Sequence, residues 1–355
     1  MDFDPRVPPL LTADLPGIGG RIKTVLEDFE VEEVPAYTPS SSGDFLYLWI
    51  EKRDMGAEYF VRQIARRLEV PVSEVGTAGL KDRRAVTRQM VSVPVTVEPN
   101  LSRLDGDGIR LLSVGRHSNK LKPGHLHGNR FRILLRDTHP DAAQRLPALL
   151  NRLRQLGVAN FYGPQRFGHD GETGALGFRL LRGEAVNIRN SFLRKLALSA
   201  AQSALYNRYL ARRLQDGLLH TVLAGDAMAK WPFGGMFVAR DLAVEQERFD
   251  RREIVSAGPI FGRKTFAAEG VAAERESVIL QEYDLSTRVF HNFGKLMQGT
   301  RRRNLIYLDD LTAEVEPEGV RCSFTLPAGS YATVLLREIS KQSDLYAQEE
   351  DGDAD

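Results

Sequence analysis

The sequence predicts an α+β fold in which one domain is interrupted by a second, inserted domain. Three observations support this expectation. Strand patterns dominate the first part of the chain, glycine-rich loops and long helices follow residue 157, and strand alternation returns after residue 320. With 355 residues, the chain is long enough for one large domain or two ordinary ones, each with a hydrophobic core.

The strands of the first part are recognised from alternating or continuous apolar residues. They are predicted at residues 29–34, 45–50, 90–95 and 131–135. In the first of these, Phe29, Val31 and Val34 are expected to face inward between glutamates that face solvent. The run at residues 45–50 is apolar almost throughout, which indicates a more buried strand.

Helices are predicted where apolar residues recur at helical spacing. The first covers residues 57–68, and the second covers residues 141–156 and ends at Gly157, a typical glycine cap. Pro147 inside the second pattern predicts a kink or a later start. Two more helical patterns cover residues 191–214 and 271–280. The alternation at residues 320–326 then predicts a strand that returns to the first domain.

The composition is that of a globular protein without membrane spans. Hydrophobic residues make up 42% and charged residues 27%, and no apolar run approaches the roughly 20 residues that cross a bilayer. Early acids and prolines argue against a secretory signal. The single cysteine, Cys322, allows no internal disulfide and no Cys-based zinc site. We therefore expect a soluble protein of the reducing cytoplasm, with no membrane partner.

The charge distribution points to a polyanionic partner although the net charge is only +1. Residues 344–355 contain six acidic residues and no basic one. Residues 1–343 therefore hold 48 basic and 41 acidic side chains, a net charge of +7. Residues 110–136 contain seven bases and no acid, and residues 185–215 form a second acid-free stretch. Such local basic stretches favour a directed polyanion site, with solvated helix faces and strand edges as the alternative interpretation.

Common catalytic motifs are absent from the sequence. The segment GIGGRIKT at residues 17–24 is close to a phosphate loop, but Ile22 stands where glycine must precede the lysine. No dinucleotide-binding G-x-G-x-x-G and no G-x-S-x-G elbow occurs. His125 and His127 have no carboxylate or thiol nearby, which favours a surface or polyanion contact over a metal site.

The best candidate for chemistry is the turn GTAGLKDRRAVTRQ at residues 76–89. An Asp82 carboxylate surrounded by Lys81, Arg83 and Arg84 would stay ionised and serve as a nucleophile or base toward a polyanionic substrate. Neighbouring residues of an extended chain point to opposite faces, so Lys81 is not expected to pair with Asp82. An ordinary charged surface turn is the alternative, and on the residues alone it is the more common case.

Six segments occur in one order along the chain. They are IKTVLEDFEVE (22–32), GLKDRRAVTRQ (79–89), LHGNRF (126–131), NFYGPQRFG (160–168), LSAAQSALYN (198–207) and LPAGSYATVLLRE (326–338). Together, from about residue 17 to 340, they resemble the TruD family of tRNA pseudouridine synthases. The resemblance implies an isomerase, an intramolecular transferase that converts uridine 13 of tRNA to pseudouridine. It also implies that the partner is tRNA and that no cofactor or metal is needed, and no obligate protein partner is evident.

The resemblance implies a discontinuous architecture. Residues 1–156 and 307–340 are expected to form a pseudouridine-synthase-type catalytic domain with a mixed, largely antiparallel sheet. Residues 157–306 are expected to form an inserted α/β TRUD domain. Residues 341–355 are predicted to be an acidic, disordered tail.

The resemblance also assigns roles to individual residues. Asp82 matches the catalytic aspartate, and the substrate-contacting positions are Phe29, Asn129 and Tyr331. Phe131 is expected to pack on the target base, and Lys23 is expected to be the basic partner of Asp82. Arg116, Lys120 and Lys122 of the first basic stretch are expected to contact the RNA backbone.

Each assignment has an ordinary structural alternative. Phe29 and Phe131 also fit the apolar faces of strands, Asn129 fits a turn beside Gly128, and Tyr331 fits the start of a helix that packs in the core. The sequence leaves open whether the aspartate attacks a carbon or removes a ribose proton. It also leaves open a non-catalytic protein on the same fold that binds tRNA and assists its folding.

Overall fold

A computed structural model describes residues 3–346 of the chain. Its strands are β1 (Gly19–Arg21), β2 (Phe29–Pro35), β3 (Phe45–Arg53), β4 (Gly76–Thr77), β5 (Val86–Pro94), β6 (Ile109–His117), β7 (Leu126–Thr138), β8 (Val158–Ala159), β9 (Ala227–Lys230), β10 (Met236–Val238), β11 (Ile254–Ile260), β12 (Thr300–Arg303), β13 (Leu305–Ile306), β14 (Thr312–Glu316) and β15 (Gly319–Pro327). Its helices are α1 (Ala57–Leu68), α2 (Ala142–Leu156), α3 (Glu172–Leu181), α4 (Ser191–Gln215), α5 (Leu242–Asp250), α6 (Gly270–Glu282) and α7 (Ala332–Ser340).

The chain divides into two compact units. The sheet unit contains Leu15–Arg154, Leu308–Ala332 and the described residues from Ile339 on, whereas the inserted unit contains Gln155–Tyr307, Thr333–Glu338 and the described N-terminal residues up to Asp14. The N-terminal segment and most of α7, expected in the catalytic domain, therefore group with the insertion.

Hydrogen bonds within the inserted unit explain this grouping. The Glu338 carboxylate of α7 accepts from the backbone N–H groups of Leu11 and Thr12 at 2.7 and 3.0 Å. The Asn207 side chain of α4 donates to the Pro5 carbonyl at 2.8 Å. These partners are more than 200 positions apart in the sequence, and no local pattern reports such contacts.

The sheet unit is built on a nine-stranded sheet in the order β14-β15-β7-β2-β5-β3-β6, with β1 added to β7 and β4 added to β5. All its strand pairs are antiparallel except β2 with β5, which is parallel, so the predicted mixed, largely antiparallel sheet is confirmed. Along β15 every second residue from Val320 to Leu326 is buried, as the alternation predicted.

The strand β2 differs from its prediction in one important residue. Phe29, Val31 and Glu33 share its buried face, whereas Val34, which was expected there, is only half-buried. Strand side chains alternate with period 2, so Val34 could not share a face with Phe29 and Val31. A buried glutamate needs a hydrogen-bonding or charged partner, and the partner of Glu33 is Lys81.

Helices α1 and α2 of the sheet unit follow the predicted patterns. Helix α1 begins and ends at the predicted residues, with Phe60, Ile64 and Leu68 buried. Helix α2 ends before Gly157, whose φ of 76° is the left-handed conformation that favours glycine. Pro147 lies inside α2, and the helix begins at Ala142, so the later start considered for it does not occur.

The inserted unit consists of helices packed with small antiparallel sheets. Its four-stranded sheet has the order β10-β9-β11-β12, and β8 pairs with β13. Every strand pair among these is antiparallel, whereas the α/β arrangement expected for this segment is typically parallel. The long helix α4 is buried along most of its length and is capped by the Asn190 side chain.

The predicted acidic tail falls mostly on residues 347–355, which lie outside the described residues. The part from Lys341 to Tyr346 is described. There the Ile22 N–H donates to the Leu345 carbonyl at 2.8 Å, and Ile22 and Tyr346 form a parallel bridge.

Candidate active site

The turn between β4 and β5 presents Asp82, and buried hydrogen bonds hold its backbone. Lys52 of β3 is 0% exposed and donates from Nζ to the carbonyl oxygens of Asp82 at 2.8 Å and Met55 at 2.6 Å. At the other end of the turn, the Gly124 N–H donates to the Ala78 carbonyl at 2.8 Å. Burial lowers the pKa of the Lys52 ammonium from 10.5 to about 8. The backbone of the turn is thus held independently of the Asp82 carboxylate.

Lys81 anchors the same turn through its side chain. Its Nζ lies 2.7 Å from Oε2 of Glu33, and both side chains are almost completely buried. Glu33 also accepts from the Met90 N–H at 3.3 Å. Lys81 and Asp82 therefore point in different directions, and the prediction that they do not pair with each other is confirmed.

The Asp82 carboxylate is 47% exposed and has one basic partner close to it. Lys23 Nζ donates to its Oδ1 at 3.0 Å. The same ammonium lies 4.3 Å from the centre of the Phe29 ring and 5.5 Å from that of Tyr346, within range of cation–π attraction. The pairing expected for Lys23 is present, and the Phe29 and Tyr346 rings help to orient its ammonium toward the carboxylate.

Phe29 and Phe131 lie together on the core face of the sheet. Their rings contact edge to face with centroids 6.2 Å apart, and Phe131 stacks on Phe324 at 5.4 Å. Phe131 is only 7% exposed. Phe29 is 3% exposed, so either ring would have to gain exposure before a base could pack on it. Phe29 contacts the ammonium that pairs with Asp82.

Asn129 and Tyr331 lie at one end of the adjacent strands β7 and β15. Asn129 is paired in register with Glu33 on one side and Leu326 on the other, so it lies within a strand and not in the turn considered for it. Its side-chain Oδ1 is buried and accepts no hydrogen bond from any described residue. Tyr331 is half-buried and follows β15 just before α7 begins at Ala332.

Sheet order makes the strands that carry or adjoin the predicted site residues successive neighbours. The strands β15, β7, β2 and β5 are successive neighbours, and they carry or adjoin the predicted residues Tyr331, Asn129, Phe131, Phe29 and Asp82. All of these residues belong to the sheet unit. The return of the chain after the insertion therefore adds the strand that leads to Tyr331.

Four of the seven bases in the first basic stretch, residues 110–136, pair with acids elsewhere in the sheet unit. Arg116 pairs with Glu98 at 2.5 Å, and Lys120 donates to the Ser73 carbonyl. Arg130, Arg132 and Arg136 pair with Glu32, Glu30 and Asp28. Of the three predicted RNA-backbone contacts, only Lys122 is exposed with no ion pair to any described residue.

The second acid-free stretch, residues 185–215, also contains both paired and unpaired bases. Arg208 and Arg212 pair with Glu282, and Arg213 is buried against Asp226. At the start of α4, by contrast, three bases are exposed and make no ion pair with a described residue: Arg189, Arg194 and Lys195. Within residues 185–215, the exposed bases without an ion pair therefore lie around the start of α4.

Over residues 3–346, no group of three or more histidine, cysteine or carboxylate side chains is placed to hold a metal ion. The same described residues contain no helix with both the length and the apolar character that a membrane span requires.

Three residues of this region were missed from sequence: Glu33, Lys52 and Tyr346. The signal for the first two was alternation, because Glu33 shares a face with Phe29 and Val31, and Lys52 continues the buried face of β3. Charged residues on a core face indicate a buried interaction, and here both hold the Asp82 turn. No local sequence pattern indicated a role for Tyr346.

Comparisons with known proteins identify the family of the chain. A family model described as tRNA pseudouridine synthase D (TruD) matches residues 9–192 and 184–339. A relative named tRNA pseudouridine synthase D, from Anaeromyxobacter sp., is 43% identical over 338 residues, which cover 94% of this chain and 96% of that protein. A relative of the same name from Thermus thermophilus is 42% identical over 340 residues, covering 96% of this chain and 94% of that protein.

A solved structure shows the same fold. It is the crystal structure of a putative tRNA pseudouridine synthase D (TruD) from Methanosarcina mazei, with a TM-score of 0.78 and 23% sequence identity. The match covers 96% of this chain and 99% of that one. With the family match across most of the sequence, these findings show that the chain belongs to the tRNA pseudouridine synthase D (TruD) family.

Proposed function

We propose that this protein isomerises uridine 13 of tRNA to pseudouridine, with Asp82 as the catalytic carboxylate. The observation that carries this proposal is the half-exposed Asp82 carboxylate, paired with Lys23 on a turn whose backbone Lys52 holds. A substrate can reach this carboxylate, and the carboxylate is oriented before the substrate arrives. The family supplies the reaction class and the tRNA substrate.

The reaction exchanges one bond of the ribose for another. The bond between C1′ and N1 of uridine breaks, the base turns, and a bond forms between C1′ and C5. C5 then loses its proton, and N1 gains one, so atoms balance without any redox step. Asp82 starts the reaction either by attacking C1′ or by removing a proton from the ribose.

The neighbouring side chains have separate roles in the proposed reaction. Lys23 orients the Asp82 carboxylate and balances its charge through the 3.0 Å hydrogen bond. Asn129 offers an unpaired Oδ1 acceptor, which suits the N–H edge of uracil. The half-buried Tyr331 supplies aromatic surface for the extruded base. Phe29 orients the Lys23 ammonium from the core and is supported by Phe131, and either phenyl ring contacts the base only after it gains exposure.

The exposed bases outside this region suit the tRNA backbone. Lys122 in the sheet unit and Arg189, Arg194 and Lys195 in the inserted unit have no acidic partner among the described residues. Phosphate contacts of this kind position RNA without reading its sequence. We propose that the protein carries out this reaction in the cytoplasm, where tRNA is its partner.

Tritium release from tRNA labelled at C5 of uridine tests the function directly, because pseudouridine formation expels that hydrogen. We expect release from the unmodified transcript and none above background from a transcript in which uridine 13 is cytidine. Release that persists with the cytidine transcript would show that the target position is wrong. Tight tRNA binding without any release would favour the non-catalytic folding factor instead.

A further inference from the structure

We propose that Leu80 inserts into the tRNA stack at the place that the target uridine vacates, and so holds the base in its extruded position. Leu80 is 82% exposed, more than any other large apolar side chain among the described residues. It lies two positions before Asp82 on the same turn. This inference rests on the proposed function, since it assigns a residue to the step that precedes chemistry.

Single exposed leucines are common on protein surfaces, so the argument depends on how this one is held. The residue after it, Lys81, is anchored by the buried ion pair with Glu33. Two residues before it, the Ala78 carbonyl accepts from the Gly124 N–H at 2.8 Å. Leu80 is therefore an apolar projection on a fixed backbone, and its isobutyl group cannot easily turn back into the core.

The charges around Leu80 suit a nucleic acid. Arg83 and Arg84 are exposed on the same turn and form no ion pair with another described residue. Arginines beside an apolar projection can bind the phosphates on either side of the inserted residue. A hydrophobic protein partner would be matched less well by a single leucine flanked by unpaired guanidinium groups.

The chemistry of base extrusion supplies the need for such a side chain. Extruding a nucleotide leaves a gap in the stack, and proteins that open base steps insert apolar wedges, leucine among them. Asp82 acts on the extruded nucleotide, so a wedge two positions away on the same turn would reach the gap while the carboxylate reaches the ribose. Leu80 is thus a positioning residue and not a catalytic residue.

The first test measures single-turnover pseudouridine formation in full-length tRNA. We expect Leu80→Ala to slow the rate about tenfold, because the gap is left unfilled, and Leu80→Met to stay within about threefold of the wild type. Leu112→Ala removes the same atoms from a leucine on β6 that is 39% exposed, and it should turn over at the wild-type rate. Leu80→Ala that matches the wild type would overturn the proposal.

A second substrate separates wedging from other roles. In a tRNA with abasic nucleotides on both sides of the target uridine, extrusion leaves no stack to fill, so Leu80→Ala and the wild type should react at the same rate. If Leu80→Ala is equally impaired on both RNAs, Leu80 does not act by filling the stack, and the proposal is wrong.

A fluorescence readout keeps this proposal separate from the proposed function. With 2-aminopurine next to the target nucleotide, binding of the wild type should change the emission by altering the stacking, and binding of Leu80→Ala should produce a clearly different change. This signal requires no turnover. An inactive wild type would defeat the proposed function, whereas identical emission changes for the two proteins at saturation would defeat the role of Leu80.

Discussion

Successive residues of one turn, Lys81 and Asp82, each belong to a different lysine–carboxylate pair, and the two pairs differ in burial. Both members of the Lys81–Glu33 pair are buried in the core of the sheet unit, whereas in the Lys23–Asp82 pair the lysine side chain is only 11% exposed and the carboxylate is 47% exposed. A substrate cannot reach the buried carboxylate of Glu33, whereas the half-exposed carboxylate of Asp82 can be solvated when its partner is lost. One pair therefore anchors the backbone of the turn, and the other leaves the Asp82 carboxylate open to solvent, as the proposed chemistry requires.

The largest expected effect on stability comes from breaking the buried pair. Lys81→Met leaves the Glu33 carboxylate buried without a counter-charge, which costs about 3–5 kcal/mol in typical buried pairs. The free energy of unfolding, measured by urea titration, should fall by an amount in this range. A loss below about 1 kcal/mol, as for a surface pair, would remove the distinction between the two pairs.

The Lys23–Asp82 pair should behave in the opposite way. Lys23→Met should lower the turnover rate about a hundredfold, because the Asp82 carboxylate loses the group that orients it. Its unfolding free energy should fall by about 1 kcal/mol, less than for Lys81→Met, because the half-exposed Asp82 carboxylate gains water when the lysine charge is lost. The comparison fails if Lys23→Met destabilises the protein as much as Lys81→Met does.

Lys52 donates a hydrogen bond to the Asp82 carbonyl, and its burial predicts that the free energy of unfolding depends on pH. Burial lowers the pKa of its ammonium from 10.5 to about 8, so between these pH values the unfolded chain binds more protons at this position than the folded one. The contribution of Lys52 to the unfolding free energy should therefore rise with pH across this window and be least favourable below about pH 8. Urea titrations of wild type and Lys52→Met at several pH values measure it, and a constant difference between them would contradict the assignment.

The smallest expected effect concerns Lys122, an exposed lysine that has no carboxylate partner among the described residues. Lys122→Ala should weaken binding of all tRNAs alike and reduce the slope of log affinity against log salt by about 0.7–0.9, the value for one phosphate contact. Arg116→Ala should change that slope less, because Arg116 already pairs with Glu98. Equal slopes for Lys122→Ala and the wild type would mean that Lys122 is only solvated.

Sequence patterns predicted the features that depend on local spacing. Helix α1 was predicted from Phe60, Ile64 and Leu68, and the strand after the insertion was predicted from the alternation that ends at Leu326. Both signals lie within a few turns or one strand, where burial repeats with the period of the element.

Features that depend on distant partners could not be predicted in this way. Glu33 meets Lys81 from 48 positions away, and Arg130 meets Glu32 from 98 positions away through the register of β2 and β7. The acid-free stretch at residues 110–136 is acid-free only along the chain, because β2 supplies carboxylates across the sheet. Burial and pairing of charges are set by the fold, and a one-dimensional pattern does not contain them.

The most direct test of the central claim is single-turnover tritium release by Asp82→Asn, which keeps the shape of the side chain and removes its charge. Asp107→Asn, at an exposed aspartate of another turn, is the matched control. We expect Asp82→Asn to lose activity by at least about a thousandfold while binding tRNA within a few fold of wild type, with Asp107→Asn fully active. Activity of Asp82→Asn above a few per cent of the wild type would contradict the claim that the exposed carboxylate performs the chemistry.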